Sequence, residues 1–196
     1  ITTGEGGLIT TRDRIFANNI KLYRSHGIEQ VREKHWEYQV KVNGFNYRLS
    51  DINCALGYSQ LKKLNNFTNK RRELFNLYRK RLNGYKDLCS IIEPEVKTIP
   101  SFHLLMFKIT FKKLKLDKSK LIEFLLSKRI ISQYHYIPFY KFIAFQKYKS
   151  KHKNKFNGCK IFFEEVLSLP IYYKLPNKYV IQITNFLKKF IDKNII

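Results

Sequence analysis

Two short stretches of this chain carry the residue types from which a ligand site is built. Gln133-Tyr134-His135-Tyr136 sets an amide, two phenols and an imidazole in succession, just before Pro138. Four polar-tipped residues in a row cannot all face a core, because an extended chain sends alternate side chains to opposite sides. Aromatic faces with hydroxyl and imidazole donors can stack on flat rings while hydrogen-bonding phosphates and hydroxyls. A core strand with one satisfied histidine would be spelled with the same letters. Asn46 lies in Gly44-Phe45-Asn46-Tyr47-Arg48-Leu49, ahead of the helix-capping pair Ser50-Asp51. A neutral amide there can donate to a phosphate oxygen, helped by the helix dipole, or can shape its own turn, since Asn tolerates left-handed geometry. Arg48 suits a carboxylate or phosphate, or a structural ion pair. His26 and His103 read as structural.

Those residues need elements to hold them. Gly4-Glu5-Gly6-Gly7 is a glycine-rich turn running into a short strand over residues 8–11. Asp13 can cap a helix that stops near Gly27, and residues 28–42 read as a loop. Ser50-Asp51 opens a helix with Ile52, Ala55, Leu56, Ser59 and Leu64 at helical spacing, and a second begins after Asn66 or Thr68 and ends at Gly84. Beyond Pro94 and Pro100, strands are expected over residues 103–111 and 130–136, with a helix capped by Asp117 between them. A charged loop over residues 147–155 precedes a helix near residues 156–166, a short extended piece at Leu167-Ser168-Leu169-Pro170, and an amphipathic helix from Asn177. Residues from 86 onward therefore read as a small α+β domain with strands and helices in alternation.

The net charge of +23 and pI of 9.9 raise the question of nucleic acid. A phosphate-tracking surface clusters Lys and Arg on one face with aromatics between them. Here the cations are mostly lysine, spread from Lys21 to Lys193 in short clusters, which is the pattern of a solvated surface. A basic nucleic-acid-binding module is the alternative from another class. The 3 cysteines have no paired spacing, so neither a disulfide framework nor a metal site is indicated. No stretch nears the roughly 18 to 20 unbroken apolar residues of a membrane helix, and no signal pattern opens the chain. A soluble, cytoplasmic protein is expected. The chain opens at Ile1, directly in the glycine-rich turn, and reads as starting in mid-fold.

Thr3-Gly4-Glu5-Gly6-Gly7, Arg24-Ser25-His26-Gly27, Gly44 to Leu49, Ala55-Leu56-Gly57 and Gln60-Leu61 are together similar in order and spacing to the DegT/DnrJ/EryC1/StrS family of sugar aminotransferases. Each alone is weak, but five in register over about 60 residues are specific. The resemblance implies an α/β protein of PLP-dependent transferase fold type I, represented here by its C-terminal portion. Residues 1–85 would be the end of the large cofactor domain with connecting helices, and residues 86–196 the small C-terminal α+β domain. It implies pyridoxal 5'-phosphate as cofactor, glutamate as amino donor, and a homodimer in which two subunits build each active site.

In that family the cofactor-linking lysine lies a few residues before the segment matching Thr3 to Gly7, and so before Ile1. No catalytic residue is then assigned within the chain, which is expected to be inactive alone. Asn46 matches the asparagine that reaches the cofactor phosphate of the neighbouring subunit. Gln133-Tyr134-His135-Tyr136, with Pro138-Phe139-Tyr140, resembles the Gln-x-His-Tyr segment of members that make the 4-amino sugar precursor of pseudaminic acid. This implies that Gln133, Tyr134, His135 and Tyr136 bind substrate, and that the reaction aminates C4 of a UDP-4-keto-6-deoxy-N-acetylhexosamine. A transaminase for a different nucleotide-linked keto sugar is the alternative within the family.

Overall fold

In the computed structural model, which describes residues 1–30, 33–34, 36–95, 97–145 and 156–196, the Asp13 carboxylate accepts from the backbone N–H groups of Ile15 and Phe16 at 2.8 and 3.1 Å. Those two donors have no partner inside the helix, so the cap fixes the start of α1 (Arg14–Arg24). Gly27, at φ +70, ends it by donating to the Leu22 carbonyl at 2.9 Å. The expected loop over residues 28–42 contains instead an antiparallel pair, β1 (Ile28–Gln30) and β2 (Tyr38–Val40), with Ile28 opposite Val40. Every residue of both strands is exposed, so no alternation of apolar and polar letters announces them. The reverse holds at residues 8–11, where the β-favouring letters form no strand, because no neighbouring chain supplies a ladder. Ser50 caps α2 (Asp51–Leu61), its hydroxyl accepting from the Asn53 N–H at 3.3 Å.

Contacts divide the chain into two units, Ile1–Leu64 and Asn65–Ile196. The second opens one residue into α3 (Leu64–Leu82) and contains the strands β3 (Cys89–Ile91), β4 (Leu105–Ile109) and β5 (Val166–Leu169), with the helices α4 (Lys118–Ser127), α5 (Asn157–Glu165) and α6 (Asn177–Asn194). The sheet order is β3-β4-β5, antiparallel throughout. β4 alternates, burying Leu105, Phe107 and Ile109, whereas all four residues of β5 are buried. Leu74, Phe75, Tyr78 and Leu82 of α3 join the same core as Leu121 and Leu125 of α4 and Val180, Ile183, Leu187 and Ile191 of α6. A division at residue 85 would put α3 with the first unit; its helical stripe of buried side chains instead packs with the second. The fully buried Tyr78 keeps its phenol by donating to the Pro170 carbonyl at 3.0 Å, and burial holds its pKa above the ordinary value.

Two further expectations change here. β3 and β4 follow one another with no α-helix between them among the described residues, so the alternation of strands and helices is incomplete. Residues 130–136 do not form a strand; they meet the sheet in one bridge, Gln133 with Ser168. The charged segment over residues 147–155 lies outside the described residues. Among the described residues, no helix is long and apolar enough to cross a membrane.

Candidate functional site

Within the first unit, segments far apart in sequence come together. The chain around residues 45–47 runs alongside the end of α1: His26 N–H donates to the Phe45 carbonyl at 2.9 Å, Phe45 N–H to Tyr23 at 2.7 Å and Tyr47 N–H to Arg24 at 2.9 Å. Asn46 thus forms a bridge with Ser25. The Phe45 and Tyr47 rings stack at 4.9 Å, inclined by 11°, which assigns them one face of the segment and leaves Asn46 the other. The Asn46 amide is exposed and its side chain bonds to no described residue. Arg48 donates to His26 Nε2 at 3.2 Å and forms no ion pair among the described residues.

Nearby, the glycine-rich turn folds over Leu49 and α2. A Cβ on Gly6 would lie 2.7 Å from Thr3 Oγ1 and 2.9 Å from Leu49 Cδ1, and one on Gly57 would lie 3.0 Å from Thr3 Cγ2. These contacts account for small residues at both places. A cavity of about 500 Å³ lies between the turn and α2, lined by Thr3 and Leu8 on one side and Cys54, Gly57 and Leu61 on the other.

Within the second unit, the bridge to β5 holds the 133–136 segment. Gln133 N–H donates to the Ser168 carbonyl at 3.3 Å, and Ser168 N–H to the Gln133 carbonyl at 2.6 Å. Gln133 and Tyr136 are exposed, Tyr136 by 76%, while Tyr134 is 37% exposed and His135 half-buried. The Ser168 hydroxyl lies 3.1 Å from His135 Nδ1 and 3.1 Å from the Gln133 carbonyl. A hydroxyl has one proton. Given to the carbonyl, it leaves Oγ to accept from Nδ1–H, so His135 Nε2 keeps its lone pair as an acceptor. Tyr134 sets its ring edge-on to Phe163 at 5.2 Å, with the Lys118 ammonium 4.9 Å over Tyr134.

Ser168, Lys118 and Phe163 were not singled out from the sequence. Ser168 sits in an apolar tetrapeptide, and Lys118 lies among six other lysines between residues 108 and 128 that look like solvated surface. Their proximity to Tyr134 and His135 is a product of the fold.

A phosphate-bearing cofactor needs donors free of other partners. The unengaged Asn46 amide fits that requirement, and Ser50, the N-cap of α2, follows it four residues on. For metals, no group of three or more His, Cys, Asp or Glu able to hold an ion occurs among the described residues.

Comparison with known proteins places the chain in a family. Residues 1–188 match the model of the DegT/DnrJ/EryC1/StrS aminotransferase family. The chain is 32% identical over 202 residues to an uncharacterized protein of Methanocaldococcus jannaschii, covering 99% of this chain and 52% of that protein. It is 34% identical over 177 residues to the UDP-4-amino-4,6-dideoxy-N-acetyl-beta-L-altrosamine transaminase of Campylobacter jejuni, covering 89% of this chain and 45% of the relative. Its fold superposes on Helicobacter pylori PseC, an aminotransferase involved in the biosynthesis of pseudoaminic acid, with a TM-score of 0.80 and 30% identity, over 93% of this chain and 48% of that one. The chain thus spans about half the length of the relatives it matches, and its architecture is that of fold type I PLP-dependent transferases. With its five motifs gathered in one unit and the family match running through 188 of its residues, the chain belongs to the DegT/DnrJ/EryC1/StrS aminotransferase family.

Proposed function

We propose that this chain is part of a pyridoxal-phosphate-dependent nucleotide-sugar aminotransferase that moves an amino group from glutamate to C4 of a UDP-4-keto-6-deoxy-N-acetylhexosamine. The observation that carries this reading is the presentation of Asn46, an unengaged amide on a segment pinned to the end of α1 and leading into the N-terminus of α2. When bound, the cofactor supplies the electron sink through which the amino group moves. Asn46 donates to an oxygen of its phosphate, across the interface of a homodimer whose two subunits share each site.

Gln133, Tyr134, His135 and Tyr136 hold the nucleotide sugar in this reading. The Tyr136 ring offers a face for stacking, and His135, steadied by Ser168, offers Nε2 to a sugar hydroxyl. The activity named for the Campylobacter relative supports the choice of sugar.

The test is amination itself. The holoenzyme carrying this chain is supplied with pyridoxal phosphate and glutamate and incubated with the UDP-linked 4-keto sugar, and with GDP- and dTDP-linked 4-keto sugars in parallel. Mass spectrometry reads the ketone becoming an amine. Glutamate-dependent conversion of the UDP sugar is the expected result. Conversion of another nucleotide sugar alone would assign the different keto-sugar reading, and conversion of none would sink both.

A further inference from the structure

Two cations in the second unit converge on one aromatic ring. The Lys118 and Lys141 ammonium groups each lie 4.2 Å from the centre of the Phe163 ring, and so within two such distances of one another. Lys118 also donates to the Phe163 carbonyl. Among the described residues neither lysine forms an ion pair; the nearby Glu164 and Glu165 are engaged by Lys160 at 4.0 Å and Lys108 at 3.5 Å. Like charges held this close repel unless an anion lies between them. Burial pulls the Lys118 ammonium below the ordinary lysine range, Lys141 adds to the fall, and Glu164 opposes it.

We propose that Lys118 and Lys141, converging on Phe163 beside Tyr134, form a diphosphate-binding subsite. A diphosphate carries oxygens on two phosphorus atoms and can engage two ammonium groups at once, and the nucleotide sugar of the proposed function contains one. Lysine suits this task because its compact charge swings to meet phosphate oxygens without a fixed fork geometry. The Phe163 ring face attracts both ammonium groups and holds them near one another. Tyr134 supplies a ring where a base or sugar attached to the diphosphate would lie. The inference rests on the proposed function for what the diphosphate carries; the pairing of two cations with a dianion stands on the geometry.

The holoenzyme carrying this chain is titrated by calorimetry with inorganic pyrophosphate, UDP and uridine. Its lysines are also acetylated with and without pyrophosphate, and the sites are read by mass spectrometry. Pyrophosphate should slow acetylation of Lys118 and Lys141 by about fivefold or more at saturation, with little change at Lys120, which pairs with Glu123 at 3.0 Å. Lys118→Gln and Lys141→Gln should each weaken pyrophosphate about tenfold, and Lys120→Gln less than about twofold. The acetylation pattern needs no variant, so a variant that fails to fold leaves it intact. Absent binding, protection spread evenly over the exposed lysines, or equal losses in all three variants would overturn the subsite. If UDP binds and neither Lys118→Gln nor Lys141→Gln weakens it, the subsite falls while the nucleotide-sugar reading stands. If both lysines hold pyrophosphate yet UDP binds no tighter, the subsite stands and that reading loses its nucleotide.

Discussion

Gly27 and Gly44 meet backbone to backbone: a Cβ on Gly44 would lie 2.6 Å from the carbonyl carbon of His26 and 2.9 Å from Cα of Gly27, and a Cβ on Gly27 would overlap the Val42 carbonyl. Neither position has room for any side chain, and Gly27 also needs its left-handed φ of +70. The close approach lets the segment carrying Asn46 bond to the end of α1.

Gly27→Ala and Gly84→Ala separate the two causes. Both glycines sit at left-handed φ, +70 and +69, but a Cβ at Gly84 meets nothing within 4 Å. Gly84→Ala should therefore cost about 1 kcal/mol for the backbone conformation alone. Gly27→Ala should cost roughly 2 to 4 kcal/mol, because overlap with fixed backbone adds to it. Gly44→Ala should speed hydrogen exchange at the amides of His26, Phe45 and Tyr47, which bond across this junction. Unchanged exchange there would show that the backbones part without disturbing Asn46.

Ser168→Ala tests how His135 is oriented. The hydroxyl is nearly buried on β5 and lies 3.1 Å from Nδ1. Without it, the ring loses the acceptor that keeps its proton on Nδ1, and the population should shift toward Nε2–H. The imidazole nitrogen shifts in ¹⁵N NMR report this directly, and an unchanged pattern would remove Ser168 from the site. The lost hydrogen bond should cost about 1 kcal/mol of stability.

Local signals in the sequence carried far where they were chemically specific. Asp13, Ser50 and Asp117 cap α1, α2 and α4 as their letters require, and the apolar stripe from Val180 to Ile191 became the buried face of α6. The signals failed where structure depends on a distant partner. β1 and β2 are exposed along their whole length, so their pairing leaves no hydropathy pattern. β3 has only three residues, and its partner β4 begins 14 positions on. That the Gln133 to Tyr136 stretch stays largely out of the core was legible, because polar tips in succession are uncommon there, whereas the phosphate role of Asn46 came from the family resemblance. Lys118 and Lys141 carry no mark in the sequence, since one lysine looks like another until the fold brings two of them to the Phe163 ring.

The three thiols should separate by reactivity. Cys54 and Cys159 are exposed, whereas burial pushes the Cys89 thiol up to about 11, with the Lys188 ammonium and the Tyr85 carbonyl pulling weakly the other way. At pH 8 iodoacetamide should modify Cys54 and Cys159 within minutes and leave Cys89 intact, because the thiolate is the nucleophile. The unfolded thiol ionises near about 8.5. Between that value and 11 the folded chain binds the extra proton, so this group's contribution to stability is complete below pH 8.5 and declines as pH rises. Rapid labelling of Cys89 at pH 8 in the folded chain would contradict its burial.

The cross-subunit role of Asn46 is tested by complementation in the holoenzyme that carries this chain. Asn46→Ala removes one hydrogen bond to a charged group, worth about 1.5 to 3 kcal/mol, and should weaken cofactor binding roughly ten- to hundredfold. A second variant lacks the cofactor-linking lysine, which the family resemblance assigns ahead of Thr3, and should be inactive by itself. If Asn46 serves its neighbour, a mixed dimer has one site with both the lysine and the asparagine, and one site with neither. Random exchange makes about half of all dimers mixed, each with one good site of two, so activity near a quarter of the unsubstituted enzyme should return under limiting cofactor. If Asn46 serves its own subunit, every site in a mixed dimer lacks one of the two residues, and mixing restores nothing even where native mass spectrometry shows the mixed dimers to be present.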